Sequence, residues 1–189
     1  FEYTQNRKTV QINFDYTKRG GFASNQIAVW VEDARGNYIK TIYITDFTGR
    51  REGWKKREYS LSNWQRKANA ININQDEIDA VSEATPKEGN INIIWDCKDN
   101  NGNFVRDGNY KIVVEATIYQ DNNVLYTAEI NIGDKANSKI AIPKYSKTGA
   151  KDIDITKPET IFPYVAECIN RHYKRYSFRG VILKIGKMG

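Results

Sequence analysis

Acidic and hydroxyl side chains concentrate in the segment 79–85, whose sequence is DAVSEAT and which is followed by Pro86. Ser, Thr and Asp side chains commonly bond nearby backbone groups, so such clusters are frequent in turns. The structural interpretation is that Ser82 and Thr85 cap a short helix or turn ahead of Pro86, while Asp79 accepts from neighbouring amides. This segment is nevertheless the most suggestive candidate for a binding site in the chain.

A second group of oxygen-bearing side chains follows Trp95. It could surround a calcium ion through Asp96, Asp99, Asn101, Asn103 and Asp107. The run lacks the late bidentate glutamate of an EF-hand loop, so a plain hairpin turn is the favoured interpretation.

Catalytic chemistry has little support in this sequence. His172 is the single histidine, and a lone histidine beside Cys168 on an apolar helix face is more often packed than catalytic. Glu115, Glu129 and Asp134 have spacings typical of a solvated sheet face. We therefore name no catalytic residue and expect a protein that is not an enzyme.

The two cysteines, Cys97 and Cys168, do not form a CxxC motif, and the chain has no cysteine–histidine cluster, so no metal site is expected. A disulfide between them is possible in an oxidising compartment, and two buried thiols are equally consistent with the sequence.

The net charge of +6 raises the question of nucleic acid or an anionic membrane as a partner. The first of two basic clusters comprises Arg50, Arg51, Lys55, Lys56 and Arg57. No zinc finger, aromatic RNA-binding strand or pair of recognition helices accompanies it, so a solvated surface is favoured and no nucleic acid is expected. No apolar run approaches the roughly 20 residues that a membrane-spanning helix needs.

Alternating apolar and polar residues dominate the first two-thirds of the chain. Val10, Ile12 and Phe14 share one face of a strand, which is typical of a half-buried antiparallel sheet. Short strands with Gly, Asn and Asp turns and no βαβ alternation predict an all-β antiparallel sandwich.

One design of strand and turn occurs twice, at Trp30, Asp33, Gly36 and Asn37 and again at Trp95, Asp99, Gly102 and Asn103. Each tryptophan is expected near a strand end, where its ring fills the edge of the core. Two sheets that each carry a Trp-anchored hairpin would explain the repeat, and convergent turn chemistry would explain it equally well.

The predicted organisation is a sandwich domain over residues 1–145 with a short helical insertion at about 54–89, followed by a tail over 146–189. A last sandwich strand is expected to run from Lys139 to Ile142 and to stop at Pro143. The tail is predicted to hold a linker, an amphipathic helix after Pro158 and a possible strand at Ser177–Ile185.

Three blocks carry a family resemblance: AVWVEDARGNYIKT, IDAVSEATPKEG and IIWDCKDNNGNFVRDGNYKIVVEA. Over about Ile27 to Ile132 the chain resembles a family of predicted bacterial periplasmic proteins, domain of unknown function 2271. The third block also resembles the immunoglobulin-like module of flagellar hook-capping proteins. The resemblance implies an immunoglobulin-like or fibronectin-like sandwich that is exported, and it implies no activity.

Segment 79–85 is also similar to the attachment motif of covalent flavin-binding domains, in which a terminal threonine is esterified by the phosphate of FMN. Asp79, Ser82, Ala84 and Thr85 match that motif by position, whereas Glu83 stands where the motif has a small residue. The resemblance implies FMN attached to or facing Thr85.

Two hypotheses about function follow. The first is a non-catalytic periplasmic or extracellular module without a cofactor, which contacts another envelope protein through sheet edges or through the insertion. The second is a flavin-linked redox component at Thr85. Because the chain starts at Phe1 and not at Met, we expect that a preceding segment, in which a signal peptide would lie, has been removed.

Overall fold

The computed structural model of this chain describes residues 8–16, 25–117, 122–135, 137–147 and 178–187. These residues form two β-sheets that face one another. The four-stranded sheet has the order β5 (Gly89–Trp95), β1 (Lys8–Tyr16), β10 (Phe178–Lys187) and β8 (Ser138–Ile140). The six-stranded sheet has the order β4 (Ser82–Glu83), β3 (Tyr38–Thr45), β2 (Gln26–Asp33), β6 (Gly108–Thr117), β7 (Asn122–Ile132) and β9 (Ile142–Lys147).

Strand pairing is antiparallel throughout, except that β4 runs parallel to β3. The predicted antiparallel arrangement in two layers is therefore confirmed. The helical insertion is also present, and it comprises α1 (Gly53–Lys56), α2 (Ser62–Lys67), a 3-10 helix (Ala70–Asn72) and α3 (Gln75–Ala80).

Two apolar cores hold these layers together. The first lies between the sheets and joins residues such as Ile12 of β1 with Val29 and Ile112 of the larger sheet. The second lies between the outer face of the larger sheet and the helices, where Trp30 packs with Trp64 and Leu61. The insertion is thus a third layer and not a peripheral loop.

Strand β2 shows why the sequence has a continuous apolar run at this point. Its side chains from Gln26 to Glu32 are all buried, because alternate residues face the two different cores. The prediction that Trp30 fills the edge of the sandwich core was wrong, since Trp30 lies beneath the helices. Trp95 does lie in the sandwich core.

The repeated turn is the same structure in both places. In each turn the aspartate carboxylate accepts from the amides two and four residues later, at 2.8 to 2.9 Å. The aspartates are Asp33 and Asp99, and Gly36 and Gly102 adopt φ of 84° and 79°, which glycine tolerates without strain. The first turn closes the β2–β3 hairpin. The second follows β5 and lies between Lys98 and Phe104, which form an isolated bridge.

The end of the predicted sandwich differs from the expectation. Pro143 does not stop a strand; it lies within β9 and pairs with Tyr126. Among the described strands β9 is at the edge of its sheet, where a residue without an N–H group is tolerated.

The tail contributes β10 (Phe178–Lys187), which lies between β1 and β8, in the region where a possible strand was expected. The predicted amphipathic helix after Pro158 lies outside the described residues, as does Cys168, and the division of the chain at residue 145 stays a prediction. Cys97 is a buried free thiol, and burial raises its pKa to about 12.

Glu115 was expected on a solvated face, but its side chain is 0% exposed. Its carboxylate accepts from the backbone amides of Asn63 and Trp64 at 3.1 and 2.7 Å, and from the side-chain amides of Asn63 and Asn123. These backbone amides begin α2, whose own N-cap residue, Leu61, offers no side-chain acceptor. A sheet residue therefore caps the helix.

We expect Glu115→Ala to lower the free energy of unfolding by about 3 kcal/mol, because the substitution leaves several buried N–H groups without an acceptor. Urea denaturation measures this loss. The control is Glu129→Ala on the neighbouring strand β7, an exposed site where a change within about 0.5 kcal/mol is expected. Equal losses in the two variants would contradict the capping role.

Candidate functional site

The structure distributes segment 79–85 over a helix, a short strand and the loop that follows. Asp79 lies in α3, Ser82 lies in β4 and Thr85 follows that strand. The β4 strand pairs with the end of β3, where Ser82 is opposite Ile44. The segment thus runs along the edge of the larger sheet.

Asp79 and Ser82 both make local structural hydrogen bonds. The carboxylate of Asp79 accepts from the side-chain amide of Gln75 at 2.7 Å, and not from neighbouring backbone amides as the sequence suggested. The hydroxyl of Ser82 donates to the carbonyl of Ile78 at 2.7 Å and so satisfies one of the last carbonyls of α3. These contacts fix how the helix ends and β4 begins.

Arg50 fastens this segment to the loop after β3. Its guanidinium donates to the carbonyls of Asp79 and Ser82 at 3.2 and 3.1 Å and pairs with Asp46 at 3.2 Å. The loop approaches closely, because a Cβ added at Gly49 would lie 2.1 Å from the Ser82 hydroxyl. This member of the first basic cluster therefore has a structural role.

Thr85 differs from its two neighbours in the motif. It is half-buried, and its hydroxyl makes no hydrogen bond within the part of the chain that the structure describes. The adjacent carbonyl of Ala84 accepts from the Tyr43 hydroxyl at 3.3 Å, whereas the Glu83 side chain is exposed. Ser82 and Thr85 are the two hydroxyl-bearing residues that match the flavin motif, and of these Thr85 has the hydroxyl that is available for attachment.

A small cleft of about 160 Å³ lies next to the start of this segment. Three elements build it: β3, α3 and the loop with the second aspartate turn. Its walls combine polar and apolar groups, from Tyr38, Lys40, Thr41, Glu77, Ile78, Ala80, Val81 and Asn100. Thr85 is not among them, because β4 carries the chain past the opposite end of β3.

The cleft contains a fixed pair of hydroxyl groups. The Tyr38 and Thr41 hydroxyls lie 2.7 Å apart, and the indole N–H of Trp64 donates to Thr41 at 2.9 Å. Burial raises the pKa of Tyr38, so this phenol is neutral near pH 7. The indole comes from the second core, so the orientation of these hydroxyls depends on packing of the insertion.

Two opposite charges line the same cleft. Lys40 comes from β3 and Glu77 from α3. They are not within ion-pair distance of one another, and among the described residues Lys40 has no ion pair or hydrogen bond. One carboxylate oxygen of Glu77 accepts from the side-chain amide of Asn74 at 3.3 Å. Neither charge is neutralised within the cleft, so both can pair with a ligand.

Sequence reasoning missed this cleft. Tyr38 and Lys40 look like ordinary members of an alternating strand, and nothing in their spacing indicates that Glu77 and Asn100 would lie beside them. The available signal was the interruption of the strand pattern at 54–89, which marked the insertion without showing which strand it would cover.

The outer edge of β5 is a second candidate region. Among the described strands, β5 pairs only with β1. Its sequence, GNINIIW, contains no charge and no proline, and the side chain of Ile94 is 54% exposed. Phe104, which is 41% exposed, bridges to Lys98 three residues beyond the end of β5.

The possible calcium ligands do not converge. Among the described residues, no group of three or more Asp, Glu, His or Cys side chains is placed to hold a metal ion. One carboxylate oxygen of Asp99 is already used by the turn amides of Asn101 and Asn103.

Comparison with curated proteins and with solved structures found no match. The longest helix in the described parts of the chain has six residues, and none could cross a membrane. A family model described as "Predicted periplasmic protein (DUF2271)" matches residues 7–150, which include nine of the ten strands that the described residues form and the whole insertion. The chain belongs to this family of predicted periplasmic proteins.

Proposed function

We propose that this chain is a non-catalytic exported module, periplasmic or extracellular, that binds an extended segment of another envelope protein along the outer edge of β5. The observation that carries the proposal is an uncharged seven-residue edge strand with an exposed isoleucine. Such an edge presents backbone groups that can pair with an added strand.

The contrast with β9 supports this proposal. Among the described strands β9 is also an edge, and its sequence, IPKYSK, contains a proline and two lysines, residue types that are typical of edges blocked against pairing. Strand β5 has none of these devices. Natural sheets usually block an edge of this length unless pairing is part of their function.

Exposed apolar side chains give the edge an anchor. Ile94 lies on the solvent face of β5, whereas its neighbours Ile93 and Trp95 are in the sandwich core. A partner strand with an apolar residue opposite Ile94 would bury that side chain together with its own. Backbone pairing would supply affinity, and this contact would supply specificity.

The hydrogen bonds and ion pairs of two buried carboxylates support a role without catalysis. Glu115 accepts hydrogen bonds from the insertion, and Glu32 accepts from the Trp30 indole at 3.0 Å and pairs with Lys67 and Lys111 at 3.3 and 3.4 Å. Each of these acids is committed to structural contacts.

A relation to the immunoglobulin-like module of hook-capping proteins is part of this proposal. Two antiparallel sheets around one apolar core support it, as does the order of Trp95, Asp99 and Gly102 at the second turn. An accessory role in the cell envelope fits such a module.

We expect Ile94→Lys to abolish partner capture, because the substitution removes the apolar anchor and adds an edge charge. A photoreactive residue at the exposed position Asn92 reports the partner as a cross-linked adduct in cells of the source organism, identified by mass spectrometry. Ile94→Lys should remove the adduct without lowering the melting temperature.

The matched control is Ile71→Lys, because Ile71 is 82% exposed in the insertion, away from the β5 edge. It should leave the adduct unchanged. The proposal is overturned if both substitutions reduce the adduct equally, if Ile94→Lys leaves it intact, or if the only adduct is a second copy of this chain.

The second candidate function is a flavin-linked redox component, which the available hydroxyl of Thr85 supports. FMN would be held through its phosphate at this hydroxyl and would supply electron transfer. Asp79 and Ser82 would keep their structural roles, since both are occupied locally.

If this second function is correct, a flavin transferase should move FMN from FAD to the Thr85 hydroxyl and release AMP. The protein made together with it should then absorb in the visible range and gain the mass of FMN less one water at Thr85. Thr85→Ala should lose both signals, whereas Thr85→Ser should keep them because it retains a hydroxyl. A colourless wild-type product of unchanged mass would reject covalent attachment.

A further inference from the structure

We propose that the cleft between β3, α3 and the second aspartate turn binds a small zwitterion, such as a free α-amino acid. This site is separate from the β5 edge and does not depend on the proposed partner. The inference rests on the chemistry and the size of the cleft.

The charges that line the cleft match those of a zwitterion. A zwitterion carries a carboxylate and an ammonium group a few ångströms apart. In the cleft, Lys40 can pair with the carboxylate and Glu77 with the ammonium, and neither is neutralised by the other. A ligand with only one charge would leave the other wall unpaired in a partly enclosed space, which is unfavourable.

The hydroxyl groups of the cleft are held in place before a ligand binds. Thr41 is 2% exposed, and the Trp64 indole fixes its hydroxyl, which in turn lies at hydrogen-bond distance from Tyr38. Because these polar groups are already ordered, a ligand that bonds to the Tyr38 hydroxyl loses little affinity to ordering the site. The exposed Asn100 side chain adds an amide at the rim.

The size and the apolar lining of the cleft suit a small ligand. A volume of about 160 Å³ is close to that of a cavity that admits benzene and below the ~300 Å³ at which drug-sized sites begin. The apolar wall of Ile78, Ala80 and Val81 suits a short aliphatic side chain. Nucleotides and flavins are too large for it.

The test uses the full chain and L-alanine, L-serine and L-valine as probes, with backbone amide NMR shifts of Tyr38, Lys40 and Asn100 as the readout. Propionate and ethylamine are the matched controls, because each keeps one charge of alanine and lacks the other. We expect saturable shifts with at least one amino acid and none with the two controls at equal concentration.

Substitutions then test whether Lys40 and Glu77 are the charges that pair with the ligand. Lys40→Gln and Glu77→Gln should each weaken binding at least 10-fold, because each removes a charge-assisted contact. Lys87→Gln and Glu83→Gln change exposed charges outside the cleft and should leave the affinity unchanged. Amide spectra that otherwise match the wild type show that each variant is folded.

Three results would overturn this inference: no saturable shift with any of the amino acids, equal binding of propionate or ethylamine, or equal weakening by the control substitutions. The Ile94→Lys variant should bind the amino acid normally, so failure of the partner proposal and failure of this one are distinguishable.

Discussion

The buried carboxylate of Glu115 on β6 makes the contacts on which the position of the helical insertion depends. Removing a carboxylate from water is unfavourable, and this desolvation free energy is offset only when the carboxylate oxygens accept enough hydrogen bonds. Glu115 meets that condition through the amides of Asn63 and Trp64 and the side chain of Asn123. Two residues along the same strand, the Thr117 hydroxyl accepts from the Leu61 amide at 2.9 Å. Strand β6 therefore satisfies three of the amides at the start of α2, those of Leu61, Asn63 and Trp64. At the other end of that helix, Lys67 pairs with the buried Glu32.

The two anchors of α2 explain the position of the cleft. With α2 held at both ends, Trp64 packs on Trp30 and its indole orients Thr41. The chain then continues to α3, which brings Glu77 next to Lys40 and Tyr38 on β3. The cleft is thus a consequence of how the insertion is fixed to the sheet. The β5 edge belongs to the other sheet, and the turn that follows β5 contributes Asn100 to the cleft.

Local patterns in the sequence predicted the features that depend on residues close together in the chain. Alternation gave β1 with its apolar face inward, and the aspartate and glycine spacing identified two turns that have the same hydrogen bonds. The features that were missed depend on neighbours distant in the chain. Glu115 resembles any surface acid until the insertion covers it, and the apolar run of β2 does not show that it faces two cores. Pro143 interrupts a pattern and yet fits an edge strand. The parallel pairing of two residues in β4 has no sequence signal of its own.

Hydrogen exchange at the amides of Asn63 and Trp64 tests the central claim most directly, since these two N–H groups donate to Glu115. In the wild-type chain they should exchange as slowly as amides in the middle of β6. In Glu115→Ala they should exchange at least 10-fold faster, while the amides of β1 keep their protection. Fast exchange of both amides in the wild type, or unchanged exchange in the variant, would show that Glu115 does not hold the insertion in place.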